Sequence, residues 1–91
     1  MMTPENLPIH ELIGLRVRVA KSRSAPRIGL EGTVVDETKN TLVLDIGGRE
    51  AVVPKIGSIF RFTLPSKKRV DIKGDNIAYR PHDRIKKVKL D

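Results

Sequence analysis

The chain has 91 residues, no cysteine, and 18 Lys/Arg against 11 Asp/Glu, for a formal net charge of +7. The missing cysteines exclude a disulfide framework and a Cys-based zinc site. No apolar run approaches the ~20 residues that a membrane span needs, and the first residues lack the basic start and apolar stretch of a signal peptide, so the cytoplasm is the expected compartment.

This length predicts one domain, 1–91, burying roughly 60–65% of its unfolded surface. The aromatics are Phe60, Phe62 and Tyr79, which leaves Val, Ile and Leu to build the core. Charge is unevenly spread. Residues 1–45 hold six Lys/Arg and six Asp/Glu, and residues 46–91 hold twelve against five. Two basic blocks result, 16–27 and 61–89. A small domain with this balance most often meets a polyanion.

Thr3-Pro4-Glu5 has the order of a helix start, N-cap then proline. Ile9, Leu12 and Ile13 follow at i, i+3, i+4, and Gly14 suits the helix end. Pro8 interrupts this stretch, so either the helix begins near Pro8 or residues 1–6 form an irregular, flexible arm. Such a short helix must pack on something else.

Leu15 to Lys21 alternates, with Leu15, Val17 and Val19 inward and Arg16 and Arg18 outward. Ser22 to Ile28 reads as a loop. Thr33–Asp36 and Thr41–Ile46 are two β-type runs around the polar block Glu37-Thr38-Lys39-Asn40, a hairpin. Gly32 is expected to mark a bulge or bend. Gly47-Gly48 predicts a tight turn into Arg49–Val53, which Pro54 ends. Phe60, Phe62 and Leu64 share one face of Ser58–Leu64; Ile59, Arg61 and Thr63 share the other. Arg69–Ile72 and Asn76–Tyr79 are further short strands. Ile85 and Val88 are placed to close the sheet, and 87–91 is read as a flexible tail. Six or seven short strands separated by Gly or Pro predict a mainly β fold, a small antiparallel barrel, closed or partly open, with a short N-terminal helix.

Little here points to catalysis. His10-Glu11-Leu12-Ile13-Gly14 begins like a zincin helix but has Gly14 where the second histidine belongs. Asp36 and Glu37 read as turn formers. No Walker loop or nucleophile motif is present. The basic side chains are the better candidates for binding: Arg16, Arg18, Lys21, Arg23 and Arg27, then Lys67, Lys68 and Arg69, then Arg80, Arg84, Lys86 and Lys87. Arg16 and Arg18 stand about 6.5–7 Å apart on one strand face. Such groups bind phosphates through charge and counterion release, and Arg adds bidentate contacts. Few aromatics are available for stacking, so backbone and shape recognition is expected.

The chain resembles the archaeal ribonuclease P protein component 1 family, homologues of a protein subunit of the eukaryotic ribonuclease P/MRP enzymes. The resemblance is carried by His10-Glu11-Leu12-Ile13-Gly14-Leu15, by Gly29 through Leu42, by Val53-Pro54-Lys55, and by Arg80-Pro81-His82-Asp83-Arg84-Ile85-Lys86-Lys87. His82 departs from the pattern, where an acid is common. The resemblance implies an Sm-like (SH3-like) barrel of six strands. It implies a non-catalytic subunit of the ribonucleoprotein that removes the 5′ leader from precursor tRNA, with catalysis and magnesium on the RNA and no cofactor on this chain. The implied partners are ribonuclease P RNA, a zinc-ribbon ribonuclease P subunit, the other ribonuclease P proteins and, indirectly, precursor tRNA. Ile9, Leu12 and Ile13 are the expected protein-partner surface. The competing reading is a KOW-type ribosomal barrel, suggested by Val17-Arg18-Val19 and Gly29 through Val34. A protein-interaction barrel and an autonomous nuclease are the other classes.

Overall fold

The computed structural model describes residues 12–80. Six strands make up the framework: β1 (Arg16–Lys21), β2 (Glu31–Glu37), β3 (Thr41–Ile46), β4 (Arg49–Pro54), β5 (Ile59–Thr63) and β6 (Arg69–Lys73). They form one antiparallel sheet in the order β4-β3-β2-β1-β5-β6. The expected N-terminal helix lies outside the described residues except for Leu12 and Ile13, which are not helical. Ile85 and Val88 also lie outside them. The strand expected at Asn76–Tyr79 is instead a 3₁₀ turn, Gly74–Ile77, that folds Ile77 into the core.

The sheet is strongly curled, as its topology requires. β4 is an edge strand and β5 lies four positions away. A flat sheet would separate them by about 19 Å at the usual strand spacing. Yet only Lys55–Ser58 joins them, and these four residues are tightened by a hydrogen bond from the Ser58 amide to the Lys55 carbonyl, 3.2 Å. Gly74, just after β6, meets the same turn. Its amide donates to the Ser58 carbonyl at 2.8 Å, and a Cβ there would fall on the Lys55 carbonyl. The two ends of the sheet therefore approach through Lys55 and Gly74, while β4 and β6 do not pair.

Inside the curl, alternation sets the core. Val17 and Val19 of β1, Val34 of β2, Leu42 and Leu44 of β3, Val53 of β4, and Phe60 and Phe62 of β5 are all buried. Leu12, Leu15, Leu64 and Ile77 complete the cluster. The two phenylalanine rings lie 6.2 Å apart, tilted by 46°, a favourable aromatic geometry. Tyr79 is exposed.

Gly32 does not form a bulge. It pairs with Val17, and a Cβ would collide with the Asp45 carbonyl where β2 crosses β3. The bulges fall elsewhere, at Ala20 in β1 and at Val35 in β2. Each adds one residue, so the side chains beyond it change face. Beyond Val35 the bulge turns Glu37 inward, and beyond Ala20 it turns Lys21 outward, opposite Ile59. Gly47 and Gly48, both at positive φ, form the two-residue turn between β3 and β4, as their sequence predicts.

Glu37 therefore meets Lys55. Glu37 reads in sequence as a turn former and Lys55 follows the proline that ends a strand, but both side chains are buried. Lys55 Nζ donates to Glu37 Oε2 at 2.8 Å, to the Thr38 carbonyl at 2.7 Å and to the Tyr79 carbonyl at 3.0 Å. A buried ammonium is tolerated only when paired and hydrogen-bonded. Here its three donors tie the β2–β3 loop, the β4–β5 turn and the segment entering Arg80 into one knot.

Candidate nucleic-acid interface

The outer surface of the sheet is divided by charge. On β1, β5 and β6 the register lays out three cross-strand rows. Arg16, Thr63 and Arg69 form one, Arg18, Arg61 and Asp71 the next, and Lys21, Ile59 and Lys73 the third. Arg16, Arg18, Lys21, Arg61, Arg69 and Lys73 are all exposed, and Asp71 is the single acid among these strands' outward residues. On β2, β3 and β4 the outward rows are Thr33, Asp45 and Glu50, then Asp36, Val43 and Val52. That side carries acids and exposed valines, with Val35 and Val52 prominent.

Of the residues singled out in sequence, the structure places Arg16, Arg18, Lys21 and Arg69 on this one face. Lys67 and Lys68 are exposed in the hairpin turn between β5 and β6, at its rim. Lys67 holds a positive φ of 70°. Arg23 lies in the β1–β2 loop with its side chain against Gly57, beside a pocket that Lys21, Ile59 and Lys73 also line. Arg27 is half-buried at the end of a short 3₁₀ turn, Ala25–Arg27. Arg80 is exposed one residue beyond the carbonyl that Lys55 holds. Arg84, Lys86 and Lys87 lie outside the described residues.

Arg61 and Lys73 were not singled out in sequence. Each follows from simple alternation once β5 and β6 are paired, so the pairing was the missing information. Arg61 forks onto Asp71, with Nε to Oδ1 at 2.8 Å and Nη2 to Oδ2 at 3.1 Å. This hydrogen bonding holds the Asp71 carboxyl below the usual carboxylate range, and it raises the Arg61 guanidinium further above its already high value. The pair is exposed, so it fixes the orientation of Arg61 more than it adds stability.

On the protein-partner side, Ile9 lies outside the described residues. Leu12 belongs to the chain's own core, so it is not free to cover a partner, whereas Ile13 is exposed. Among the described residues no group of three or more His, Cys, Asp or Glu side chains is arranged to hold a metal, and no helix is long and apolar enough to cross a membrane. The described part of the chain offers a wide cationic sheet face suited to phosphates.

Comparison with known proteins gives this face its context. The family model "Ribonuclease P/MRP, subunit p29" matches residues 5–87. "Ribonuclease P protein component 1" of Methanosphaera stadtmanae is 47% identical over 87 residues, spanning 96% of this chain and 94% of that protein. The protein of the same name from Methanothermobacter thermautotrophicus is 48% identical over 88 residues, spanning 96% and 95%. A solved structure, that of Mth11, described as a homologue of the human ribonuclease P protein Rpp29, shares 47% identity, with a TM-score of 0.61 over 84% of this chain and 99% of that one. These matches run through both the acidic β2–β3 hairpin and the basic strands, and they set aside the KOW-type ribosomal alternative. The chain belongs to the ribonuclease P/MRP subunit p29 family.

Proposed function

We propose that this chain is the RNA-binding, non-catalytic subunit of an archaeal-type ribonuclease P, supporting the RNA in removal of the 5′ leader from precursor tRNA. The observation that carries this is the clustering of six basic side chains on the outer face of β1, β5 and β6, in a chain whose family is a ribonuclease P family. The curled sheet is of the Sm-like (SH3-like) type. Ribonuclease P RNA lies against the basic face. Catalysis, and the magnesium it uses, belong to that RNA. A zinc-ribbon ribonuclease P subunit pairs with this chain through the segment around Ile9 and Ile13, and precursor tRNA and the other protein subunits are met through the assembly. The assembly works in the cytoplasm.

Each step asks of this chain only what its residues can do. The cations neutralise phosphates of a folded RNA and release counterions. The rigid sheet holds them at fixed spacing. Compact RNA folds that bring phosphates together then need less magnesium. Reconstitution tests this. Adding the chain with its zinc-ribbon partner to the cognate RNA is expected to lower the magnesium needed for 5′ cleavage of precursor tRNA. An unchanged magnesium requirement, with no binding to that RNA, would overturn the reading.

A further inference from the structure

The register sets Arg18 directly opposite Arg61. Like charges at directly opposed positions destabilise a sheet, so the pairing needs an anion nearby to be favourable. Asp71 answers only Arg61, through the two bonds of its fork. The Arg18 and Arg69 side chains make no hydrogen bond or ion pair with the described residues. Glu31 stands opposite Arg18 on β2 without closing an ion pair. Arg18, Glu31, Arg61, Thr63 and Arg69 together line one pocket of about 260 Å³.

We propose that this pocket seats a single phosphodiester of an RNA strand together with its ribose. The proposal rests on the reading of the chain as an RNA-binding subunit. The pocket is smaller than the ~300 Å³ at which sites for drug-sized ligands begin, and no aromatic lines it for a base to stack on. Three arginines, Arg18, Arg61 and Arg69, line it. Arg61 is fixed by Asp71, while Arg18 and Arg69 are unengaged and able to fork onto phosphate oxygens. Planar bidentate donation is what arginine adds to charge alone. The Thr63 hydroxyl adds a donor. Glu31 is the one carboxylate on the wall. An acceptor beside a phosphate seat suits the ribose 2′-hydroxyl, the group that tells RNA from DNA.

Charge-conserving variants of the full chain test this, with the cognate ribonuclease P RNA as probe. Arg18→Lys and Arg69→Lys are each expected to weaken binding roughly tenfold, since a charged bidentate bond is lost, while the slope of affinity against salt stays as in the parent. Arg49→Lys, exposed on β4 and outside the pocket, is expected to bind as the parent does. Glu31→Gln is expected to narrow the preference for an RNA hairpin over the same hairpin in DNA. Amide spectra of each variant check that the fold is retained. If both lysine variants bind like the parent while Arg18→Ala binds more weakly, the face acts through bulk charge and the phosphate seat is refuted, with RNA binding by this face intact. If lysine and alanine variants alike leave binding unchanged, the basic face is not the RNA surface: the phosphate seat is refuted and the RNA lies elsewhere on the chain.

Discussion

Lys55 Nζ lies 2.8 Å from Glu37 Oε2, and both side chains are shielded from solvent inside the curled sheet. The pair joins two points that are 18 residues apart in the chain, and the same ammonium also bonds the Thr38 and Tyr79 carbonyls. Removing one partner of a buried pair typically costs about 3–5 kcal/mol, because the other charge is left uncompensated. Glu37→Leu and Lys55→Met are each expected to lose stability on that scale in urea unfolding. The double variant is expected to be more stable than Glu37→Leu alone, since the orphaned charge is gone. It is still expected to fall short of the parent, because the two carbonyls lose their donor. Strictly additive losses would show that the pair is not coupled.

Two glycines sit where strands touch. A Cβ at Gly32 meets the Asp45 carbonyl, and a Cβ at Gly74 meets the Lys55 carbonyl. Neither neighbour can rotate away, because each is backbone. Gly32→Ala and Gly74→Ala are therefore expected to destabilise by at least ~2 kcal/mol, above the usual range for a surface change. Gly29, with open space around it but a φ of +88°, is expected to cost less on substitution by Asn, which tolerates that region. Thermal melts of the three variants give the comparison.

The Asp71 carboxyl titrates below its ordinary range, chiefly because Arg61 donates to it, with partial burial working the other way. A carboxyl whose folded pKa is depressed contributes stability that is present above its unfolded pKa and is lost as pH falls through the folded value. Because the pair is exposed, the effect on unfolding is expected to be small. Its direct signature is spectroscopic. The Asp71 carboxyl carbon is expected to titrate at lower pH in the parent than in Arg61→Ala. Identical midpoints would mean that the fork does not persist in solution.

Replacing Arg16 and Arg18 together with Ala removes two adjacent cations from the basic face. If both meet phosphates, the log–log slope of RNA affinity against salt falls by roughly one to two units. Replacing Val52 with Ala on the opposite face is expected to leave that slope unchanged. Equal effects from both would mean that the charge segregation has no bearing on binding.

Much of this fold was legible from alternation. Leu15, Val17 and Val19, then Phe60, Phe62 and Leu64, face inward as their spacing requires. Gly47-Gly48 makes the turn that its sequence demands. Glu37 turns inward, against its reading as a turn former, because a single-residue bulge at Val35 precedes it, and nothing in its chemistry announces that; the matching bulge at Ala20 turns Lys21 outward, as its charge suits. Lys55 was missed because a lysine in a connector is ordinarily solvated, and its burial depends on Glu37 turning inward. Leu12 read as an uncovered stripe because the core that receives it is built from strands much later in the chain. Asn76–Tyr79 has strand-like composition, but the close approach of Gly74 to Lys55 bends the chain into a 3₁₀ turn there. The basic residues were found one by one. What sequence could not supply was the register that sets Arg18 beside Arg61, and with it the pocket.

The central claim is that RNA lies on the outer face of β1, β5 and β6. The chain has no cysteine, so a single introduced thiol can be labelled cleanly. Lys21→Cys on the basic face and Val52→Cys on the opposite face can each carry a tethered iron chelate that cleaves nearby RNA. In complexes with the cognate ribonuclease P RNA, strong localised cleavage from position 21 and little from position 52 is the expected result. Strong cleavage from position 52 with none from position 21 would contradict the account.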